Sequence, residues 1–435
     1  MREMKDSGVE WIGEIPKGWK VQRLKAVLCE RNELNNPVKT DFILSLTNDR
    51  GVIPYTEKGD VGNKSKDDLT GYKLAYPDDI VLNSMNVIIG SVDLSRYFGC
   101  VSPVYYMLYK RLKQDEIKYY NYLFQTKELQ NRLKGYGNGI MEIRMRIQMS
   151  KLNTVLLPVP SSDEQAKIAS YLDSKCFQID TIIEKQQTVI EKLKEYKLSL
   201  ITEAVTKGLN HDVPMKDSGV EWIGDVPEHW KIMRFKSVVA EMSSGISAVT
   251  SNESNESNYT GKYVLRTSAV SSGYFKPDEV KSVTEDAIDR LICPVEKGTV
   301  IMSRMNTAKM VGASAYIDRD YENLYLPDKL WKIKFTTKAM GKYCWYALNC
   351  VPIQSWFACV ATGSSDSMQN IALKDFLDTF FVFPSVNEQN QIADFLDRKC
   401  SAIDATISKK QALIEKLTAY KKSLIYEVVT GKKEV

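Results

Sequence analysis

Two stretches of the chain carry the hydrophobic spacing of a long amphipathic helix. In residues 179 to 201 apolar side chains recur at steps of three and four between charged ones: Ile179, Ile182, Ile183, Val189, Ile190, Leu193, Tyr196, Leu200 and Ile201. Residues 403 to 425 repeat the spacing with Ile403, Ile407, Leu413, Ile414, Leu417, Tyr420, Leu424 and Ile425. Because neither stretch contains proline or glycine, each predicts one long helix.

Start and stop signals frame both predicted helices. Residues 161 to 164 and 385 to 388 read serine-x-x-glutamate just after a proline, which is the spacing of a capping box. A glycine, Gly208 or Gly431, follows at the other end, where helices commonly stop. A lone helix of this kind leaves an apolar stripe in water, so we expect the two helices to pair, antiparallel, as a coiled coil.

Short β-rich stretches and turn residues fill the rest of the chain. Predicted strands cover residues 79–83, 101–109, 299–303 and 330–335, and a helix is predicted over 117–133. There is no βαβ periodicity. A low-complexity polar segment, residues 243 to 258, predicts a mobile loop.

The chain contains an internal duplication. Residues 4 to 27 and 215 to 238 are identical at 16 of 24 aligned positions, and residues 163 to 206 match 387 to 430 at 25 of 44. The order is therefore head, connector, head, connector. The sequence between the matching flanks has diverged, which indicates one frame that carries two different readers; drift of the loops after duplication is the alternative.

This order predicts the fold class. We expect an α+β protein in which two mixed α/β heads are joined by two long antiparallel coiled-coil helices, with an approximate two-fold relation between the repeats. The predicted domains are the first head at 1–160, the first helical connector at 161–209, the second head at 210–385 and the second connector at 386–435.

Composition excludes several classes of protein. There is no run of eighteen apolar residues, and the first residues are polar, unlike a signal peptide, so we expect a soluble protein of the cytoplasm. The eight cysteines lie far apart without a CxxC pair, which favours free buried thiols over a zinc site or a disulfide framework. The net charge is only +4, so any positive surface for DNA is local or is supplied by partners.

No catalytic constellation is recognisable. The only histidines are His211 and His229, and the chain has no GxxxxGK[ST] loop, no GxGxxG after a strand and no Asn-Pro-Pro-aromatic tetrad. Residues 277 to 281 faintly resemble a nuclease site, as acidic loops often do. We expect no catalysis and no bound metal in this chain.

Polar side chains suited to DNA cluster in predicted loops. Arginine can bond guanine in a bidentate manner, asparagine can bond adenine, and serine and threonine serve phosphates or bases. The candidates in the first head are Asn83, Ser84, Asn86, Arg96, Tyr136, Asn138, Arg144 and Arg146. Those in the second head are Arg266, Ser303, Arg304, Asn306, Lys309, Thr362, Ser364 and Ser365. The alternative for each is an ordinary solvated surface residue.

The repeated flanks resemble those of a known family. The paired KDSGVEWIG openings, the EQxxIAxxLD connector starts, the helices with IEKLxxYKxSLI and their VT(K)G ends are similar to type I restriction–modification specificity subunits, in that family's order and spacing. The resemblance covers the whole chain, although the heads are expected to vary between members.

The resemblance implies a non-catalytic subunit with two target recognition domains, each reading one half of a bipartite DNA site. Its expected partners are double-stranded DNA, two modification subunits that bind S-adenosylmethionine and methylate adenine, and two restriction subunits that use ATP and Mg. Those cofactors are expected on the partners. Because the heads differ, we expect an asymmetric site.

The paired helices are expected to set the spacer of that site and to receive helices from the modification subunits. About 28 residues, 179 to 206, would span roughly 42 Å, or about 12 base pairs of duplex. The predicted interface positions are Ile183, Ile190, Leu193, Leu200, Ile407, Ile414, Leu417 and Leu424. A coiled coil that merely dimerises the protein, an autonomous enzyme acting on nucleic acid, and a scaffold that binds proteins instead of DNA are the alternatives.

Overall fold

The computed structural model describes residues 2–59, 65–86, 89–138, 146–247, 250–251, 260–363, 365 and 368–435. It divides into two compact units: unit 1 contains residues 1–187 and 411–435, and unit 2 contains residues 188–410. Each unit therefore holds one head, the first part of the long helix that follows this head, and the last part of the other long helix. The four-domain division remains a prediction.

The first half of the chain forms a β-rich head with short helices and ends in a long helix. Its elements are β1 Met4–Asp6, β2 Glu14–Pro16, β3 Lys20–Arg23, α1 Leu24–Val27, β4 Leu28–Arg31, β5 Leu44–Thr47, β6 Gly51–Pro54, β7 Lys73–Ala75, β8 Ile80–Asn83, β9 Val92–Leu94, β10 Gly99–Val101, β11 Tyr105–Lys110, α2 Ile117–Phe124, α3 Lys127–Lys134, β12 Gly137–Asn138, β13 Arg146–Ile147, α4 Met149–Leu152, β14 Leu156–Val159 and α5 Ser162–Lys207.

The second half repeats this plan. Its elements are β15 Met215–Asp217, β16 Asp225–Pro227, β17 Lys231–Arg234, β18 Val239–Ser244, β19 Thr250–Ser251, β20 Tyr263–Leu265, β21 Val280–Val283, β22 Val300–Ser303, β23 Met305–Asn306, β24 Ser314–Tyr316, β25 Leu324–Tyr325, β26 Leu330–Phe335, α6 Gly341–Leu348, α7 Val351–Val360, β27 Gln369–Asn370, α8 Leu373–Asp378, β28 Phe380–Phe383 and α9 Val386–Val429. Most of the segment predicted as a mobile loop, residues 243 to 258, lies outside the described residues.

Each head is built on a four-stranded antiparallel sheet of the same order. The order is β4-β11-β8-β9 in unit 1 and β18-β26-β22-β24 in unit 2. The inner strands β8 and β22 are buried along their whole length, and three consecutive apolar residues begin each of them. Unit 2 adds a second four-stranded sheet, β19-β21-β20-β25, so the heads differ in their peripheral parts.

The structure corrects two predicted elements. The strand predicted over residues 101–109 is two strands, β10 and β11, because Ser102 and Pro103 turn the chain between them. The helix predicted over residues 117–133 is also two, α2 and α3, separated at Thr126, whose hydroxyl donates to the carbonyl oxygen of Leu123 at 2.6 Å. In both places a local turn divides the element, while the apolar side chains on either side of the turn pack on the same core.

The predicted signals at the ends of the long helices are found, with one change. The backbone N–H of Glu164 donates to the Ser161 hydroxyl at 3.3 Å, as a capping box requires. The Glu164 carboxylate does not return to the start of the helix but accepts a hydrogen bond from the Trp19 indole at 2.9 Å. Gly208 and Gly431 end the helices with φ of 79° and 73°, a conformation that favours glycine.

The two long helices run antiparallel within each unit. In unit 1, Arg2 bridges Glu164 and Glu434, while Lys421 binds Asp180 at 2.6 Å, so residue numbers rise along α5 as they fall along α9. In unit 2, Lys197 binds Asp404 at 2.7 Å. Asp404 and Lys421 are the repeat equivalents of Asp180 and Lys197. The predicted α+β class with paired antiparallel helices is confirmed.

A buried tyrosine in each head bonds the strand that precedes one long helix and the end of the other long helix. In unit 1 the Tyr119 hydroxyl donates to the carbonyl oxygens of Pro158 and Val429, both at 2.9 Å. In unit 2 the Tyr343 hydroxyl is placed in the same way, 2.9 Å from the carbonyl oxygen of Val382 and 3.1 Å from that of Val205. Burial raises the pKa of both tyrosines, so both hydroxyls stay protonated as donors.

A charged contact on α2 and α6 repeats this attachment at the surface. The carboxylate of Asp173 on α5 accepts from the Lys118 ammonium at 2.6 Å and from the Tyr122 hydroxyl at 2.7 Å. In unit 2, the Asp397 carboxylate accepts from Lys342 at 2.7 Å and from Tyr346 at 2.8 Å. Helix α5 therefore leaves the first head in the same orientation relative to α2 as α9 leaves the second head relative to α6.

Candidate nucleic-acid interface

The turn after strand β8 holds three of the predicted DNA-binding residues. Ser84 is fully buried, and its hydroxyl donates to the carbonyl oxygen of Val104 at 2.7 Å. Asn83 is 9% exposed and accepts a hydrogen bond from the backbone N–H of Met85 at 3.0 Å. Asn86 is half-buried. The side chains of Asn83 and Ser84 thus shape the turn, and their contact with DNA stays a prediction.

A two-stranded hairpin docks on this turn. Strands β12 and β13 pair with Asn138 opposite Arg146, and the backbone N–H of Ile147 donates to the carbonyl oxygen of Ser84 at 3.0 Å. The buried hydroxyl of Tyr106 donates to the carbonyl oxygen of Ile147 at 3.1 Å. We call this contact the turn–hairpin junction; it brings Ser84, Asn138 and Arg146 together, with Arg146 exposed.

Unit 2 builds an equivalent turn–hairpin junction after strand β22. The backbone N–H of Ile371 donates to the carbonyl oxygen of Arg304 at 2.9 Å, and β23 pairs with β27 so that Met305 lies opposite Asn370. Thr362 forms an antiparallel bridge with the same Asn370. The predicted residues Arg304, Asn306 and Thr362 are therefore brought together.

Ser303 supports this turn from inside. It is fully buried, its hydroxyl donates to the carbonyl oxygen of Met305 at 3.3 Å, and it accepts from the Asn306 amide at 3.3 Å. The burial of Ser303 resembles that of Ser84, although the two residues are one position apart in the repeat. For Ser303 too, contact with DNA stays a prediction.

Arg304 is held by two acceptors that sequence reasoning missed. Its Nε donates to the carbonyl oxygen of Asp328 at 2.8 Å, and its Nη1 makes a long hydrogen bond of 3.5 Å to Oδ1 of Asn370. In the sequence, Asn370 precedes an isoleucine just as Arg146 does, and alignment of the two hairpins would have found it. Asp328 acts through its backbone, so no sequence signal marks it.

The remaining candidates contribute less to the junctions. Arg96 is exposed at the opposite end of the unit 1 sheet, because its neighbour Ser95 pairs with Asp79 at the start of β8. Tyr136, just before β12, accepts a hydrogen bond from Arg132 at 3.3 Å. Several others are exposed in loops of unit 2: Arg266, Lys309 and Ser365. Arg144 and Ser364 lie outside the described residues.

The predicted interface positions on the long helices are largely covered within the units. Ile190, Ile414 and Leu424 are buried, and the other positions are half-buried: Ile183, Leu193, Leu200, Ile407 and Leu417. Other apolar side chains of these helices point to solvent, including Tyr196 at 57% exposure and its repeat equivalent Tyr420 at 52%. The apolar stripe is therefore divided into a packed line and an exposed line.

The eight cysteines are free thiols, and six of them are buried. Burial raises the pKa of Cys400 on α9 to about 11, so this thiol is protonated and unreactive at neutral pH. This confirms the expectation of free, mostly buried thiols. Within the described ranges no cluster of three or more metal-ligating side chains occurs, and no helix is both long and apolar enough to cross a membrane.

Comparison with known proteins identifies related sequences. A family model described as the type I restriction modification DNA specificity domain matches residues 16–194. The chain is 21% identical to the EcoKI specificity subunit of Escherichia coli over 92% of this chain and 85% of that protein. It is 23% identical to the MjaVIII specificity subunit of Methanocaldococcus jannaschii over 81% of this chain and 80% of the relative.

Two solved structures share the fold. One belongs to a study of complex assembly and conformational transition of the type I R-M system; it matches with a TM-score of 0.70 and 13% identity over 96% of this chain and 99% of that chain. The HsdS subunit of Thermoanaerobacter tengcongensis matches with a TM-score of 0.51 and 14% identity over 96% of this chain and 98% of that chain.

The fold defines a two-headed α+β protein made from one duplicated unit, with different loops on equivalent sheets. The type I restriction modification DNA specificity domain matches residues 16–194, and the chain is similar to type I restriction enzyme specificity subunits over most of its length. Its fold is shared with the two solved structures.

Proposed function

We propose that this chain reads an asymmetric bipartite DNA site, with one half-site for each head, at the two turn–hairpin junctions. The observation that carries the proposal is the contrast inside the repeat. The tyrosine and aspartate attachments are repeated residue for residue, whereas the junctions differ at equivalent positions: Ser84 corresponds to Arg304 in the turns, and Arg146 corresponds to Asn370 in the hairpins. Equivalent positions with different hydrogen-bonding groups suit two half-sites of different sequence.

The chemistry belongs to partner subunits in this proposal. The chain itself carries out no catalysis, while two modification subunits bind S-adenosylmethionine and methylate adenine, and two restriction subunits use ATP and Mg in the bacterial or archaeal cytoplasm. The near-neutral net charge of +4 supports a division of the phosphate contacts between this chain and its partners.

The exposed line of the long helices is the surface that we assign to the modification subunits. On α5 it includes Val189, Tyr196 and Leu198, which are 37%, 57% and 45% exposed. On α9 the repeat equivalents Leu413 and Tyr420 are 41% and 52% exposed. Because large apolar and aromatic side chains are favoured at protein interfaces, these residues are better candidates for direct contact than the packed line.

A head exchange tests the division into two readers. Residues 28 to 160 are replaced by the corresponding head of another family member, the chain is assembled with its modification subunit, and methylated adenines are mapped in DNA. We expect one half-site to change and the other to stay. A change in both half-sites, or in neither, contradicts the proposal.

DNA binding itself separates this function from a protein-binding scaffold. The assembled complex should bind DNA more tightly than the chain alone, with affinity that falls steeply as salt rises, because phosphate contacts release counterions. Binding that neither depends on salt nor strengthens with the modification subunit supports the scaffold. Methylation or cleavage by the purified chain alone would support an autonomous enzyme.

Insertions in the long helices test whether they set the spacer. One helical turn of four residues is inserted after Tyr196 and also after Asp404, so that the contact between Lys197 and Asp404 is kept. The insertion adds about 6 Å, which corresponds to about two base pairs. We expect a longer spacer with unchanged half-sites. An unchanged spacer contradicts this role of the helices.

A further inference from the structure

The chain contains arginines in two different settings. The Arg31 guanidinium already binds groups of the protein itself. Its Nε and Nη2 donate to the buried Asp79 carboxylate at 2.8 and 3.2 Å, and it stacks over the rings of Tyr76 and Tyr109. Arg304 is different, because it is half-buried and forms no ion pair with any carboxylate of the described residues. Within the described residues, its charge is therefore not neutralised by a carboxylate.

The contacts of Arg304 orient its guanidinium but use only part of its hydrogen-bond donors. Nε is directed to the carbonyl oxygen of Asp328 at 2.8 Å and Nη1 to Oδ1 of Asn370 at 3.5 Å, while no described residue accepts from Nη2. The backbone of Arg304 is fixed as well. Its N–H donates to the carbonyl oxygen of Lys329 at 3.1 Å, and its carbonyl oxygen accepts from the backbone N–H of Ile371 at 2.9 Å. A guanidinium whose plane is set in advance loses less side-chain entropy when it binds.

Unit 1 has an arginine at the equivalent junction, but on the opposite element. The turn position equivalent to Arg304 is Ser84, which is buried, and the hairpin position equivalent to Asn370 is Arg146, which is exposed. Arg146 forms no ion pair among the described residues. Among the described residues, each junction thus presents one arginine, supplied by the turn in unit 2 and by the hairpin in unit 1.

We infer that Arg304 and Arg146 each read a guanine in the major groove of their own half-site, and that Asn370 is a positioning residue for Arg304. The inference depends on the proposed function. Guanine presents O6 and N7 as two adjacent acceptors, which match the arginine fork, whereas a phosphate would be served equally well by a mobile lysine. Both half-sites therefore contain a G·C pair, although the arginine comes from different elements.

The test uses this chain assembled with its modification subunit and a DNA library in which both half-sites are randomised. Bound DNA is sequenced for the wild type, Arg304→Lys and Arg146→Lys. We expect Arg304→Lys to reduce the preference for one guanine of the second half-site by roughly 5- to 150-fold, with the first half-site unchanged. Arg146→Lys should give the converse result, and the unaffected half-site shows that each variant is folded and assembled.

Two further variants separate positioning from direct reading. Asn370→Ala should weaken the preference at the same base as Arg304→Lys, but less, and Asn370→Gln should retain more of the preference than Asn370→Ala because it keeps a neutral amide acceptor. Arg319→Lys is the matched control, since this exposed arginine of the same head donates to the Tyr321 hydroxyl at 3.0 Å and lies after β24. Its base preferences should equal those of the wild type.

Each outcome decides the inference. An unchanged guanine preference in Arg304→Lys, or a loss of selectivity in both half-sites, overturns it, because the arginine is then either no reader or a structural residue. Equal effects of Asn370→Ala and Asn370→Gln overturn the positioning role. If the wild-type complex selects no bipartite sequence at all, the proposed function fails instead.

Discussion

The two units agree where they are buried and differ where they are exposed. The indole of Trp19 donates to Glu164 at 2.9 Å, and that of Trp230 donates to Glu388 at 3.1 Å. At the junctions, by contrast, the exposed Arg146 of unit 1 corresponds to the partly exposed Asn370 of unit 2. A buried polar group must keep its partner, whereas a solvated loop position carries no such constraint. After duplication, the residues that attach the heads to the long helices have therefore stayed the same, and the residues of the turn–hairpin junctions have changed.

One buried region departs from this rule. In unit 1, three buried side-chain atoms have no hydrogen-bond partner among the described atoms: Asp115 Oδ2, Tyr120 Oη and Asn121 Oδ1. In unit 2 the equivalent positions are Ala339, Cys344 and Trp345, and the Trp345 indole donates to the carbonyl oxygen of Gly273 at 2.8 Å. The cores thus differ in polarity at equivalent positions, and unit 1 contains polar atoms that unit 2 replaces or satisfies.

Removing the buried tyrosine hydroxyls should lower the free energy of unfolding more than any other substitution considered below. Tyr119→Phe and Tyr343→Phe each leave two carbonyl oxygens without their shared donor, so we expect a loss of about 1 to 2 kcal/mol in the free energy of unfolding. Urea unfolding of the full chain, with hydrogen exchange to locate the affected unit, measures it. Tyr120→Phe is the matched control, because Tyr120 Oη has no partner by geometry; a change of less than about 0.5 kcal/mol is expected. Equal costs for Tyr119→Phe and Tyr120→Phe would contradict the attachment role.

Acid should weaken a charge cluster of unit 2. Hydrogen bonds from Lys332 at 2.6 Å and Lys334 at 2.8 Å lower the pKa of Glu296. A lowered pKa in the folded state gives stability that is present above the unfolded value of about 4.3 and is lost as pH falls through the folded value. Because the Glu296 side chain is 36% exposed, solvent screening limits the effect of Glu296→Gln to about 1 kcal/mol at pH 7.

The measurement is the difference in unfolding free energy between Glu296→Gln and the wild type from pH 7 to pH 3. The difference should disappear at the acidic end. Glu30→Gln is the matched variant in unit 1, where the carboxylate lies 3.6 Å from Lys73, and a smaller loss is expected. A cost of Glu296→Gln that is constant with pH would show that the charge of Glu296 is not responsible.

The smallest effects should come from the repeated ion pairs of the long helices. The Lys197 side chain is 13% exposed and also lies 4.5 Å from the centre of the Tyr274 ring, whereas Lys421 is 27% exposed. We therefore expect Lys197→Met to cost about 1 kcal/mol and Lys421→Met about 0.5 kcal/mol. Double-mutant cycles with Asp404→Asn and Asp180→Asn measure the pair energies. Equal energies would mean that burial does not distinguish the two contacts.

Sequence patterns predicted the long helices well because their signals are local. The serine at each start, the glycine at each end and the apolar spacing all act within a few residues, and α5 and α9 begin one residue after Ser161 and Ser385. The breaks at Ser102 and Thr126 were missed, since the apolar pattern continues across both turns onto the same core. Periodicity reports which side chains are buried, not whether the backbone turns between them.

The sequence by itself determined the duplication, the fold class, the helices and the family resemblance, because identical flanks and amphipathic spacing are properties of the chain alone. Only the tertiary structure decided that Ser84 and Ser303 are buried and that Arg304 is held by Asn370 and the backbone of Asp328. The contacts with Asp328 and Val104 end on backbone carbonyl oxygens, which every residue type possesses, so no residue pattern marks those partners. The contact with Asn370 joins two side chains 66 positions apart, and only the fold brings them together.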